Sequence, residues 1–456
     1  MASGVATTTS DPSFNFECLT LVWVDSHLDK DKDKDSSLKQ CFRQRITTNV
    51  KTFNDPIVCL RWLRSTSSTE IIFLVVSGDF AKRCLADLNQ FQLKSIFIYI
   101  YPEYSGVYIE QMPNYDKIRI NTCETEKLID ILVKDRSYVE NVETSKSLIC
   151  FKARTYSALV GQVDNSFVFF KVLLEILIST SYFSCSISSQ SLIDFVRQSN
   201  SLELTYDKSK LIHYFVSDGP LVRLVNKALR DQNISMLFYF RFFLIDIQEQ
   251  LRNNNNEQFS SIVVYRKQLM NKQTLENLSR GIGFFYLMFN EFLLTSKEKQ
   301  INVNDNIQRQ DNNEYATVIL EINATNVNAN VLFGSIDDNN VLFMCGSIFQ
   351  MKSLSKQSDD LYKIDLVLEQ TDKLQRLNVE LTNLRESKDL FLIENLFNGN
   401  QQSDQISIFY QCLLQQLDKH DPLSMKIHDR LILNTKVQPS IFSFSFIFVD
   451  FLFFYF

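Results

Sequence analysis

Short, continuous apolar runs that stop on a polar residue govern what the first third of this chain can fold into. Leu19-Thr20-Leu21-Val22-Trp23-Val24-Asp25 and Ile71-Ile72-Phe73-Leu74-Val75-Val76-Ser77 show no sustained alternation. Both faces of such a strand must be covered, as in the centre of a parallel sheet. Ser95-Ile96-Phe97-Ile98-Tyr99-Ile100 and Lys117-Ile118-Arg119-Ile120 supply two more strands. Helical stretches lie between them at Leu38 to Thr47, Val58 to Arg64, Lys82 to Gln90 and Glu126 to Lys134. The βαβα order predicts a small doubly wound parallel sheet over residues 14–150.

Beyond residue 150 the period becomes helical. Leu221, Leu224, Val225, Ala228 and Leu229 fall on one helix face behind Asp218, a candidate N-cap. Leu237, Phe240, Leu244, Ile247 and Leu251 repeat the spacing behind Ser235. The apolar run Phe167 to Ile178 carries Lys171 and Glu175 one turn apart, which predicts a buried helix rather than a lipid-facing one. After Asn253 to Asn256 strands return at Ile262 to Tyr265, Phe289 to Leu294, Ala316 to Ile322, Val341 to Phe343 and Ser347 to Met351, separated by Asn-rich turns such as Asn302 to Asn313. A helical lobe followed by a sheet is an α+β arrangement. From Leu361 to about Leu433 the pattern reads as mostly helical, without an internal repeat.

Composition removes several function classes. Only 10 Gly occur in 456 residues, and neither G-x-G-x-x-G nor G-x-x-x-x-G-K-[ST] is present. Glycine-loop nucleotide folds therefore lose their basis. A net charge of −6 and the lack of a Lys/Arg block argue against nucleic acid as a partner. Nine Cys without a C-x-x-C pair, and four His, predict reduced core thiols and no metal site, hence a cytoplasmic protein. His213 and His420 read as structural histidines. The Ser/Thr-rich start, Met1 to Phe14, lacks the features of a cleaved secretory signal. The last sixteen residues, Ile441 to Phe456, hold eight of the 38 Phe, with Asp450 near the middle and no basic flank. That run is shorter than the roughly 20 residues of a spanning helix, so it reads as an aberrant tail, with a membrane anchor as the alternative.

The chemistry is concentrated between residues 211 and 353. Leu221-Val222-Arg223-Leu224-Val225-Asn226-Lys227-Ala228-Leu229-Arg230 leads through Arg241-Phe242-Phe243 to Val263-Val264-Tyr265-Arg266. Phe292-Leu293-Leu294-Thr295-Ser296 and Asn340-Val341-Leu342-Phe343 follow, with Gly346 and Phe349 after them. This order resembles the arginine-type mono-ADP-ribosyltransferase family, whose signature is an Arg on the first sheet strand, a Ser-Thr-Ser strand and a Glu-x-Glu turn before a Val-Leu-Phe strand. The resemblance implies an α+β fold: an ADP-ribosyltransferase-like domain (helical lobe plus split mixed sheet), preceded by a small α/β parallel-sheet module and followed by helices. It implies NAD as substrate, no metal, and an arginine side chain of a protein as acceptor.

Carried onto this sequence, the family's cofactor-binding positions are Arg266, Thr295 and Ser296, and the Glu-x-Glu positions are Asp338 and Asn340. Breaking the bond to nicotinamide passes through an oxocarbenium-like state that a carboxylate stabilises, and a guanidinium suits the diphosphate. Two departures stand out. Leu294 replaces the first Ser and offers no hydroxyl. Asn340 replaces the catalytic Glu and offers no negative charge, so activity is expected to be weak or lost. A non-catalytic interaction scaffold is the competing reading.

The N-terminal module looks like a receiver or flavodoxin-like unit, with Asp25 ending the first strand and Asp79 following the third. A paired acid after Asp25 is missing, as is a Lys after the last strand, which favours a chemically silent scaffold. The expected division is a disordered tail (1–13), this module (14–150), the transferase-like domain (151–355), a helical segment (356–436) akin to the tetratricopeptide part of some multidomain members, and the Phe-rich tail (437–456).

Overall fold

A computed structural model describes residues 19–25, 32–66, 70–77, 96–101, 118–146 except 123, 148–152, 165–178, 206–254 except 218, 262–299 except 283–284, 314–324, 333–368, 403–417 and 422–437, with residues 28, 81, 383 and 391 besides. Lys82 to Gln90, Asp79, Asn302 to Asn313, His420 and the Phe-rich tail from 438 onward lie outside the described residues.

The first unit runs β1 (Leu19–Val24), α1 (Lys32–Arg45), β2 (Val50–Phe53), α2 (Pro56–Ser65), β3 (Ile71–Val76), β4 (Ile96–Ile100), β5 (Ile118–Asn121) and α3 (Thr125–Lys146). Its five strands are all parallel in the order β2-β1-β3-β4-β5, the flavodoxin-like arrangement. Both faces of the sheet are covered, which is why β1 and β3 read as unbroken apolar runs. Leu19, Leu21 and Trp23 pack with Phe42, Leu128 and Leu132 on one face, while Val22 and Val24 pack with Cys59, Leu60 and Leu63 on the other. Asp55 caps α2 by accepting from the Ile57 N–H at 2.8 Å, ahead of Pro56 at the first helical position. Buried Asp135 fastens α3 to the sheet, taking a hydrogen bond from the Tyr99 hydroxyl at 2.7 Å and two from the Arg119 guanidinium. The strand β2 was not expected from the sequence, and α3 continues twelve residues past the predicted end at Lys134.

The second unit begins at once with β6 (Leu148–Lys152), so the large sheet starts slightly before residue 151. Helices α4 (Asn165–Ile178), α5 (Leu211–Val216), α6 (Pro220–Arg230), α7 (Ile234–Tyr239) and α8 (Arg241–Asn254) form the helical lobe. Then come β7 (Ile262–Asn271), α9 (Lys272–Ser279), β8 (Phe285–Phe289), β9 (Leu293–Ser296), β10 (Tyr315–Ala324), β11 (Phe333–Ser335), β12 (Asn340–Phe343), β13 (Ile348–Ser358) and β14 (Leu361–Leu368). Helices α10 (Ser403–Gln416) and α11 (Pro422–Val437) close the described chain. The nine strands are ordered β11-β12-β9-β7-β10-β14-β13-β8-β6, antiparallel except for β10 beside β14. One face packs on Leu275 and Leu278 of α9; the other receives the helical lobe through Met288, Leu342 and Ile348, with α10 contributing Phe409, Tyr410 and Leu413. The architecture is mixed α+β: a helical lobe, a large mixed sheet, a preceding parallel module and following helices.

Several local expectations are corrected. Leu361–Leu368 is a strand, not the start of a helical segment: Ile364 and Leu366 alternate inward against outward Lys363 and Asp365, and β10 and β13 flank it. The expected strand Phe289 to Leu294 is two strands, broken at Asn290-Glu291-Phe292. The helix expected behind Ser235 is two helices, and Asn233 supplies the cap by accepting from the Met236 N–H at 3.1 Å. Asp218 lies outside the described residues, and Gly219, just before Pro220, takes the cap position of α6. Among the described residues no helix is long and apolar enough to cross a membrane.

Candidate functional site

Strand β7 is central to the site. Along one edge it pairs with β10 for ten residues, from Asn271↔Tyr315 to Ile262↔Ala324. Along the other it meets β9 at a single pair, Tyr265↔Ser296. The next residue of β7, Arg266, reaches over to β9 and to the segment before it. Its Nη1 donates to the Leu294 carbonyl at 3.3 Å and its Nη2 to Oε1 of Glu291 at 3.2 Å. The other carboxylate oxygen of Glu291 accepts from Nη1 of Arg230, the last residue of α6, at 2.7 Å, and lies 3.5 Å from the Thr144 hydroxyl of α3. Glu291 is 2% exposed, Arg230 10% and Arg266 18% at the side chain. Burial pulls the Arg266 guanidinium below its ordinary value; the Glu291 carboxylate pushes it back up and Arg230 adds a smaller downward pull.

Strand β9 lies between β7 and β12, with Thr295 opposite Val341 and Ser296 opposite Asn340. The structure therefore puts Arg266, the Leu294-Thr295-Ser296 strand and Asn340 on three adjacent strands. Their polar atoms are used within the protein. Thr295 is buried and donates its hydroxyl to the Val341 carbonyl at 2.8 Å. Ser296 Oγ accepts from the Glu298 N–H at 3.1 Å. Leu294 turns its side chain into the helical lobe's core.

The turn before β12 is organised by Asp337 rather than Asp338. Asp337 Oδ1 accepts from the backbone N–H groups of Asn339 (2.8 Å) and Asn340 (2.7 Å), and its Oδ2 accepts from the Asn340 amide at 2.8 Å. The Asn340 amide and these backbone donors hold the Asp337 carboxyl below the usual carboxylate range. Asp338 sits exposed at the tip.

The cross-strand register extends the Asn340–Ser296 row through Tyr265, on the face opposite to that of the next residue, Arg266. Tyr265 is opposite Glu321 of β10, which is opposite Asp365 of β14. Lys363 pairs with Glu321 at 3.1 Å and with Asp365 at 2.8 Å, and Lys299 lies 3.9 Å from Glu321 and over the Tyr265 ring. These carboxylates are thus already matched by lysines. Among the described residues no three His, Cys, Asp or Glu side chains gather as a metal site.

Sequence reasoning missed Glu291 and the part played by Arg230. The signal was present: Asn290-Glu291 interrupts an apolar stretch from Phe285 to Leu294, and a buried carboxylate demands a cation. Which cation it would meet is a matter of tertiary contact across 25 and 61 residues.

No protein-family model matches the chain, and no curated protein matches it. Among solved structures it is similar to Vis toxin, an ADP-ribosyltransferase from Vibrio splendidus, at 14% identity and a TM-score of 0.29 over 49% of this chain and 91% of the toxin. It is also similar to Plx2a, an ADP-ribosyltransferase toxin from Paenibacillus larvae, at 13% identity and a TM-score of 0.27 over 40% of this chain and 95% of that one. The Clostridium limosum C3 exoenzyme gives 14% identity and a TM-score of 0.27 over 41% of this chain and 98% of the exoenzyme.

Proposed function

We propose that this chain carries an NAD pocket of the arginine-type mono-ADP-ribosyltransferase kind, with transfer to a protein arginine weak or lost. The supporting observation is that Arg266, Leu294-Thr295-Ser296 and Asn340 lie on the three adjacent strands β7, β9 and β12, with Tyr265, Ser296 and Asn340 in one cross-strand row and Arg266 the next residue along β7. Three motif fragments, 28 to 74 residues apart in sequence, are brought onto neighbouring strands. Arg266, at 18% the most exposed of the three charged groups Arg230, Arg266 and Glu291, brings the guanidinium that fits an anionic group of the substrate.

NAD is cleaved at the bond from the ribose anomeric carbon to the nicotinamide nitrogen, and positive charge grows on the sugar. Asn340 can accept from a ribose hydroxyl through its amide oxygen, yet it brings no charge to that carbon. Its amide N–H is committed to Asp337. Losing one preorganised electrostatic contact costs about 100- to 1,000-fold in rate.

Two measurements test this reading. Titration calorimetry with NAD should give heat for the wild-type chain that Arg266→Ala abolishes; no heat in either protein rejects the pocket. Incorporation of labelled ADP-ribose into an arginine-bearing acceptor at rates typical of active transferases would reject the loss of chemistry. The scaffold reading is favoured by the way Thr295, Ser296, Asp337 and Asn340 satisfy one another's polar groups or nearby backbone, and it wins if NAD does not bind.

A further inference from the structure

We propose, on the transferase reading above, that Asp337 supplies the carboxylate charge that position 340 lacks, and that the slow cleavage of NAD left to this chain runs through it. Asp337 folds back over the turn before β12, so that its Oδ2 stands 2.8 Å from the Asn340 side-chain nitrogen. A Glu at 340 would carry its carboxyl only one carbon–carbon bond, about 1.5 Å, beyond the place of that carboxamide. The anion is therefore displaced by one hydrogen bond rather than lost. Strand β12 keeps its register as this happens, with Asn340 opposite Ser296 and Val341 opposite Thr295.

The turn keeps this carboxylate ionised and leaves it within reach. Asp337 is exposed, whereas Asn340 beside it is half-buried. The Asn340 amide and, more weakly, the backbone donors and Lys297 favour the charged form. An ionised carboxyl accepts about four hydrogen bonds. The Asn339 and Asn340 backbone N–H groups fill Oδ1, and the Asn340 amide takes one direction of Oδ2, which leaves the other direction of Oδ2 open. Glu321 and Asp365 are matched by lysines; Asp337 is hydrogen-bonded only to neutral donors among the described residues.

In the step proposed, the bond from ribose C1′ to the nicotinamide nitrogen breaks and its electron pair leaves with neutral nicotinamide. Asp337 Oδ2 counters the positive charge that grows on the sugar. A water oxygen, or the nitrogen of an acceptor arginine, then adds to C1′ and releases one proton to solvent.

The test is release of labelled nicotinamide from NAD by the full chain, with NAD affinity measured in parallel by titration calorimetry. Wild type should release nicotinamide faster than the uncatalysed reaction. Asp337→Asn can still accept from the backbone donors of the turn through its amide oxygen. It should lower the rate about 100-fold or to the uncatalysed level, while NAD affinity changes by less than about three-fold. Asp359→Asn, which removes an equally exposed acid from the turn between β13 and β14, should keep the wild-type rate. Bound NAD with equal release by wild type and Asp337→Asn overturns the proposal and leaves the pocket standing. Loss of release in Asp338→Asn rather than in Asp337→Asn overturns it as well. No NAD binding by wild type rejects the pocket and the proposal together. If Asp337→Asn does not fold, Asp337→Ser, whose hydroxyl can also accept within such a turn, is read against the same outcomes.

Discussion

A carboxamide at position 340 does more than subtract a charge. Its amide N–H stabilises the neighbouring Asp337 carboxylate at 2.8 Å, so the turn is built around an amide–acid pair. Restoring a carboxylate alone would set two acids against each other and favour protonation of one of them. Asn340→Glu is therefore expected to recover less ADP-ribose incorporation than Asn340→Glu with Asp337→Asn, and rates measured side by side check the order. Two thiols, the buried Cys345 and the partly buried Cys150, give a second residue-scale prediction. Burial pushes Cys150 and Cys345 up to about 12, from an ordinary value of 9.0. Both stay neutral in the folded chain and ionise near 9 once unfolded, so their contribution is full below that pH and is lost as pH rises toward 12. Each thiol lowers stability by at most about 1.4 kcal/mol per pH unit in that window. Urea midpoints between pH 8 and 10 should fall, and less steeply in Cys345→Ala.

Whole elements were legible where one rule sufficed. Runs apolar on both faces announced β1 and β3, and the helical repeat announced α6. What failed needed partners that sequence does not show. Lys363-Ile364-Asp365-Leu366 alternates over too few residues to outweigh the helical pattern read over Leu361 to Leu433, and β10 and β13 make it a strand. Phe240 continues the helical spacing, yet Asn233 starts a short helix that ends there. In the site, β7 and β12 were readable, whereas β9 was fused with the end of β8, and Glu291, in the break between them, was missed because its meaning depends on Arg230 and Arg266. One of the scarce glycines is fixed by such a contact. Gly346 follows β12 at φ +75°, a Cβ there would stand 2.9 Å from Leu174 Cδ1, and its carbonyl accepts from Lys171 Nζ at 2.9 Å. Gly346→Ala should cost about 1–3 kcal/mol, seen as a lower urea midpoint with an unchanged slope.

Across the whole molecule, the parallel module meets the larger unit where α3 lies against β7 and α1 against α6, and polar side chains of α3 and α6 run along the join. Arg136, Glu140 and Thr144 recur every four residues on α3, while Arg223 and Arg230 lie two turns apart on α6. Glu140 stands 3.7 Å from Arg136 and 4.0 Å from Arg223. Arg136 also donates to the Arg45 carbonyl, and Arg223 to that of Gln44. Glu140→Ala removes the anion between two buried guanidinia and should lower stability by about 1–3 kcal/mol, measured by chemical denaturation. Thr144 ends the same stripe at Glu291, so one helix of the first module touches the candidate site directly. The join itself has a mechanical consequence. Helix α3 ends at Lys146 and β6 begins at Leu148 as an edge strand of the large sheet, so a single residue separates the two bodies. The backbone that closes the first module therefore runs almost at once into the edge of the large sheet, so a change in where α3 ends would be felt first in the pairing of β6 with β8.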